Sequence, residues 1–372
     1  MNVLFVADRW DPKDHSQASG VDYEVYHTLL REGANLSLVG PFDWQYSPLE
    51  RILRGLHNRF FDTRLFKYPW KYFFKTSREV SRALKDHQPD LVVAKHAAPF
   101  VYADLGEYPL LYFCDSSVRW LKEQWKNHAA VTYLTMERWE ARVIQKAAHV
   151  VSFSEANARV LINDYGLSEE KVSVMAIPAS IPHDRVPETI SARDKLQPVR
   201  LLLVGRDYHR KGVDTALEVV QILNERDIPA ELRVVGLDGK EREHTRFLGL
   251  FNKTIPEELE GYLSQYQWAD FLIHPARFEA AGIVPSEAAA FGVPTITNQT
   301  GGLATTVEDG RSGIVLPGGS PAAVYATAIE EFVLAPDRYQ ALCRTTRQRY
   351  EKELNWPALG GRLMKIARTA AG

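Results

Sequence analysis

Two stretches in the second half of this chain carry residues whose types and spacing suit a diphosphate and the hydroxyls of a sugar. The first is Gly205-Arg206-Asp207-Tyr208-His209-Arg210-Lys211-Gly212, directly after the apolar run Leu201–Val204. Gly205 lets the chain turn as it leaves a strand, and Arg206 and Lys211 then project beside the start of the next helix. A planar guanidinium and a compact ammonium together suit the spread charge of a diphosphate; taken alone, they are equally two solvated cations. The second stretch runs from Glu279 through Gly282-Ile283-Val284-Pro285 to Glu287. Gly282 permits close backbone approach, Pro285 fits the first position of a helix, and Glu287 falls in the first turn with Glu279 in the preceding loop. Free N–H groups around Gly282, Ile283 and Val284, with the helix dipole, would face an anion. The two carboxylates can hold sugar and ribose hydroxyls, or Glu287 can simply complement the helix N-terminus.

Positioning such loops requires strands that end where the loops begin. Short β-branched apolar runs alternate with amphipathic stretches, the pattern of a parallel sheet wrapped by helices. In the first half the strand candidates are Val3–Ala7, Leu36–Val39, Asp90–Ala94, Leu110–Phe113, Val150–Phe153 and Val172–Ala176. After a proline-rich stretch, Pro178–Arg200, a second series begins with Leu201–Val204, Glu231–Val235, Phe271–Ile273 and Thr295–Thr297. The expected fold is α/β, two Rossmann-like doubly wound parallel-sheet domains facing a central cleft, where ligands bind at the carboxyl ends of the strands. The domains are expected at 1–180 and 200–350, with 181–199 as linker and 351–372 packing back on the first domain.

The 372 residues, 45% hydrophobic and 25% charged, describe a folded chain of two ordinary domains. A net charge of -2 gives no general reason to expect nucleic acid. Two distant cysteines, Cys114 and Cys343, make neither a disulfide framework nor a zinc site. The apolar start meets Asp8 and Arg9 after one strand, too soon for a signal peptide. No stretch approaches the roughly 18–20 apolar residues of a membrane span, so the expected location is cytoplasmic or peripheral on the inner face of a membrane.

Taken in order, Gly205-Arg206…Lys211-Gly212, Val235-Gly236…Gly239, His274-Pro275, Glu279…Glu287 and Phe291-Gly292-Val293-Pro294, then Gly301-Gly302, resemble the C-terminal domain of the GT-B glycosyltransferases of family 4. That retaining group carries the E-x7-E element, and the likeness extends more loosely to the N-terminal half and to Trp356. It implies a transferase, a hexosyltransferase by expectation, whose donor is a nucleoside-diphosphate sugar and which needs no other cofactor. Arg206 and Lys211 would neutralise the diphosphate, Glu279 would contact the transferred sugar, and Glu287 the ribose. The backbone of Gly282, Ile283 and Val284 would hold phosphate oxygens, with the loop Gly249–Thr254 near the base. No Asp-x-Asp pair occurs in the chain, so metal-independent transfer is expected, with front-face attack and the leaving phosphate taking the acceptor proton.

In the first half, Gly20 after Ser16-Gln17-Ala18-Ser19 stands where relatives carry paired glycines near the donor phosphate. His96 matches a frequent family histidine on the acceptor side. Asp115 stands where many relatives have a histidine near the reacting centre, and either orients an acceptor hydroxyl or caps the following helix. Ser154-Glu155 reads as a cap, and Pro178-Ala179-Ser180 departs from the family's Asn-Gly without a functional reading. The segment 51–78 interleaves Arg51, Arg54, Arg59, Arg64, Lys67, Lys71, Lys75 and Arg78 with Phe60, Phe61, Phe66, Tyr68, Trp70, Tyr72, Phe73 and Phe74. It suits an anionic membrane and a glycan or lipid-linked acceptor, or an ordinary helical layer with aromatics inward and cations outward. Two other functions fit the same fold: a sugar-nucleotide epimerase, and a non-catalytic nucleotide-sugar-binding partner subunit.

Overall fold

The apolar runs form strands because helices cover both faces of the sheets they build. The computed structural model of the protein describes residues 1–65, 67–124, 128–190 and 192–372. The chain separates into two compact units, Met1–Met175 with Gly360–Gly372, and Ala176–Leu359. Each contains one parallel sheet of six strands.

The first unit holds β1 (Asn2–Val6), β2 (Asn35–Val39), β3 (Leu91–Ala94), β4 (Leu110–Cys114), β5 (His149–Ser152) and β6 (Val172–Val174) in the order β2-β1-β3-β4-β5-β6. Its helices are α1 (Val21–Arg31), α2 (Pro48–Phe60), α3 (Trp70–His87), α4 (Val118–Gln124), α5 (Ala130–Lys146) and α6 (Glu155–Asn163). All six sequence-derived strands lie within two residues of those observed. Ser154 caps α6 as expected, its Oγ accepting from Asn157 N at 3.1 Å.

The basic and aromatic segment splits into two helices that behave differently. α2 begins in a capping box, with Ser47 N donating to Glu50 Oε2 at 2.7 Å and Glu50 N to Ser47 Oγ at 3.3 Å. Its one fully buried side chain is Glu50, while Leu49, Ile52, Leu56 and Phe60 form a stripe 55–72% exposed. In α3, Tyr72 and Phe73 pack inward, whereas Trp70 and Phe74 face out. Phe66 lies outside the described residues.

The second unit holds β7 (Val199–Val204), β8 (Ala230–Val235), β9 (Thr245–Phe247), β10 (Phe271–His274), β11 (Thr295–Asn298) and β12 (Gly313–Leu316) in the order β12-β11-β10-β7-β8-β9. Its helices are α7 (Val213–Glu225), α8 (Pro256–Trp268), α9 (Ile283–Ala290), α10 (Leu303–Thr306), α11 (Ala322–Val333), α12 (Pro336–Glu353) and the start of α13 (Trp356–Ala371). The edge strands β9 and β12 escaped the sequence reading because three or four residues show no periodicity. The proline-rich stretch packs into this unit: Ala179 and Ile181 join its core, and Ala179 N donates to Leu354 O at 2.9 Å. Cys114 and Cys343 are both free and buried, and no described helix is long and apolar enough to cross a membrane.

A buried carboxyl ties α4 to the first unit. Glu140 Oε2 accepts from Val118 N at 2.7 Å and from Tyr165 OH at 2.5 Å. Burial pushes its pKa up to about 7. A carboxyl raised in the folded state contributes stability that is complete below its unfolded pKa, near 4.5, and is lost as pH rises through about 7. Glu140→Gln keeps an acceptor for Val118 without the titration. Chemical denaturation should therefore show the variant gaining on wild type between pH 4.5 and 8, by about 3 kcal/mol at most; a pH-independent gap would contradict this assignment.

Candidate functional site

Lys211 and Glu279 meet as a buried ion pair, Nζ to Oε2. Local sequence explains how they reach one another. A Cβ on Gly205 would lie 2.4 Å from the Lys211 Cγ, so the glycine makes room for the lysine stem. Arg277 then fastens the two loops: its guanidinium grips Asp214 at 2.9 and 2.7 Å and His209 O at 2.7 Å. Its N–H also donates to Arg210 O at 2.8 Å.

Three donors converge on one oxygen of Glu279. Besides Lys211, Arg210 Nη1 lies 3.3 Å and His274 Nε2 3.4 Å from Oε2. Burial would raise this carboxyl, but Lys211 and His274 hold it well below the usual carboxylate range. Burial and the nearby Lys211 push His274 down to about 4, so the ring is neutral at pH 7. Lys211 is itself pulled down by burial and pushed back up by Glu279. Glu279 Oε1 has no partner among the described residues.

Glu287 sits differently from expectation. α9 starts at Ile283 after Gly282, whose left-handed φ of +85° makes it the N-cap. Pro285 is therefore third in the helix instead of first, and Glu287 lies in the second turn, fully buried. It does not complement the N-terminus. Lys253 Nζ donates to Oε1 at 2.7 Å, and Tyr262 and Tyr266 to Oε2 at 2.5 and 2.8 Å. A ribose would reach this carboxylate only by displacing Lys253, the partly exposed member. Among the described residues, no protein group accepts from the N–H of Gly282, Ile283 or Val284. Arg206 is exposed with no ion pair among them, yet close enough to Tyr262 to favour its ionised form.

The first unit places the remaining candidates at the carboxyl ends of its strands. Gly20 is the N-cap of α1 at φ 77°, its own N–H donating to Gln17 O at 2.8 Å. Among the described residues Asp115 accepts only a long bond, 3.4 Å, from Ser116 Oγ. It does not cap α4, because Ser117 N and Val118 N donate to Asn157 and Glu140. His96 lies beside Lys95, which pairs with Asp22 at 3.5 Å; its Nε2 is buried with no partner. Among the described residues there is no cluster of three or more His, Cys, Asp or Glu arranged for a metal ion. Arg210, His274, Lys253, Tyr262 and Tyr266 were missed as site residues. His274-Pro275 and the loop containing Lys253 were visible in the sequence, but nothing there marked their direction.

Comparison with known proteins defines the class. The family described as "Glycosyl transferases group 1" matches residues 189–349, and "Glycosyltransferase Family 4" matches residues 23–178. The D-inositol 3-phosphate glycosyltransferase of Rhodococcus jostii (strain RHA1) is 25% identical over 248 residues, 62% of this chain and 54% of that protein. The chain thus spans about half the length of the curated relatives it matches. Sucrose-phosphate synthase from Thermosynechococcus elongatus superposes with a TM-score of 0.67 at 18% identity, covering 99% of this chain and 98% of the other. Anabaena HepE, solved with UDP-glucose, gives 0.63 at 16%, covering 99% and 100%. The fold is GT-B. The chain belongs to the family 4 glycosyltransferases.

The buried pair makes a stability prediction. Removing one partner of a buried ion pair leaves an uncompensated charge and costs about 3–5 kcal/mol. Lys211→Met should destabilise the second unit by that order, and adding Glu279→Gln should restore most of the loss in urea titrations. Additive losses would show that the two residues are not coupled.

Proposed function

We propose that the protein transfers a hexose from a nucleoside-diphosphate sugar to a hydroxyl of a glycan or lipid-linked acceptor, with retention and without a metal ion. One observation carries this reading. Buried Lys211, exposed Arg206 and the bare N-terminus of α9 provide positive charge, and among the described residues Arg206 has no ion pair and no cluster of three or more His, Cys, Asp or Glu is arranged for a cation. As the bond between the sugar C1 and the phosphate oxygen breaks, charge accumulates on the leaving diphosphate, and such preorganised groups stabilise it. The acceptor oxygen forms its new bond to C1 on the same face, and its proton passes to the departing phosphate oxygen. Glu279 Oε1 is available for hydroxyls of the transferred sugar, and Glu287 for the ribose once Lys253 yields.

The complex of HepE with UDP-glucose makes a UDP-hexose the first donor to try. A cytoplasmic enzyme with a lipid-linked acceptor would meet the membrane through α2, whose apolar stripe is flanked by Arg51, Arg54 and Arg59.

Thermal melts with UDP, GDP, ADP and their sugar conjugates in EDTA test the donor site. One nucleotide at 100-fold over its Kd should add about 2.7 kcal/mol, a rise of roughly 5–10 °C. The rise should persist in EDTA and shrink in Arg206→Ala. No shift with any nucleotide, or one that EDTA abolishes, would contradict the proposal. Vesicles containing phosphatidylglycerol should sediment the wild type and not Ile52→Glu/Leu56→Glu; equal sedimentation would exclude α2 as the contact.

A further inference from the structure

The two oxygens of the Glu287 carboxylate are held in different ways. Oε2 accepts from Tyr262 and Tyr266, both buried on α8, whose hydroxyls lie 2.8 Å from each other. Oε1 is held, among the described residues, by the Lys253 ammonium at 2.7 Å. The Glu287 side chain is 1% exposed and that of Lys253 29%. The lysine, on a flexible four-carbon stem, is the partner that can move.

The backbone on either side of Lys253 is fixed. Asn252 N donates to Glu258 Oε2 at 2.6 Å. The Asn252 side chain accepts from Thr254 N at 3.1 Å and from Thr254 Oγ1 at 2.8 Å. Phe251 lies against Gly261, where a Cβ would come within 2.8 Å of its ring. The lysine can therefore swing out without carrying its loop along. Apart from Glu287, it is kept in place by the Tyr262 ring at 4.3 Å and a long bond to Ser180 O at 3.4 Å.

Charge limits what can replace the ammonium on Oε1. An anion would be repelled by the carboxylate, whereas a hydroxyl donates to it without conflict. Glu287 lies in the second turn of α9, the helix whose first turn carries the free N–H groups. One turn rises about 5.4 Å, so a molecule with phosphates at the start of α9 can bring sugar hydroxyls to Glu287.

We propose that Lys253 is a latch on the donor site: it occupies Glu287 in the free protein, and a nucleotide opens it only by presenting the 2′- and 3′-hydroxyls of a ribose. This rests on the donor reading above and goes beyond it, because the lysine is then a competitor of the nucleotide and not one of its ligands. The competition sets selectivity. A nucleotide without those hydroxyls leaves the latch shut and gains nothing from Glu287. The ribose form gains Glu287 but must first displace the ammonium, and a latch open about one-tenth of the time weakens its apparent binding about tenfold.

Calorimetric titration of the full chain with UDP, GDP and ADP, each against its 2′,3′-dideoxy form, tests the latch. The readout is the ribose advantage, the Kd of the dideoxy form divided by that of the ribose form. In Lys253→Met this advantage should grow about tenfold over wild type. Taking the ratio cancels the loss of one cation near the diphosphate, which acts on both forms alike. Lys253→Gln keeps a neutral donor for the buried carboxylate and should move the advantage in the same direction by less. Melting of each variant without nucleotide checks its fold. An unchanged or smaller advantage in the folded variants would overturn the latch alone. Failure of every ribose form to bind wild type and variants would overturn the nucleotide reading, and the latch with it.

Discussion

The second unit is organised around one buried ion pair, Lys211 with Glu279. Gly205 lacks a side chain where the lysine stem passes, and Arg277 clasps Asp214 and His209 to hold the two loops in register. His274, kept neutral by burial, donates to the carboxylate from the end of β10. Replacing a buried ion pair with well-packed apolar residues is often neutral or stabilising, so stability does not explain why charge is retained here. Charge in a dry, prearranged setting is what a departing diphosphate requires.

The same division of labour recurs in the first unit. Strands β1, β3 and β4 are buried on both faces and carry the stability. The residues that follow them, Asp8, Lys95, His96 and Asp115, carry charge or incomplete hydrogen bonding. Incomplete bonding is costly where water is excluded, and both units concentrate it at strand ends. There a ligand can complete it.

Much of this was legible in the sequence because parallel strands buried on both faces read as continuous apolar runs. The runs at Leu110–Phe113 and Leu201–Val204 placed Asp115 and Arg206 at strand ends, where they are found. Direction was not legible. Nothing in the residue order marks Arg210 as joining Lys211 on Glu279, since consecutive loop residues have no fixed facing. Tyr262 and Tyr266, one helical turn apart, are core residues whose hydroxyls hold Glu287, a role that no pattern in the sequence marks. Pro285 suggested a helix start two residues too late, because Gly282 in the left-handed region had already begun it. The capping box at Ser47–Glu50 stands in the sequence as Ser-x-x-Glu, whereas the exposed stripe of α2 is a property of the structure.

The central claim is that Lys211, Arg206 and the start of α9 stabilise the leaving diphosphate. The most direct test is the rate of nucleoside-diphosphate release from UDP-glucose, or from whichever donor stabilises the protein, in EDTA with folded Lys211→Met/Glu279→Gln and Arg206→Ala variants. The account predicts falls on the order of 10²–10³ in kcat, as when one prearranged transition-state donor is removed. Release at the wild-type rate in both variants would contradict it.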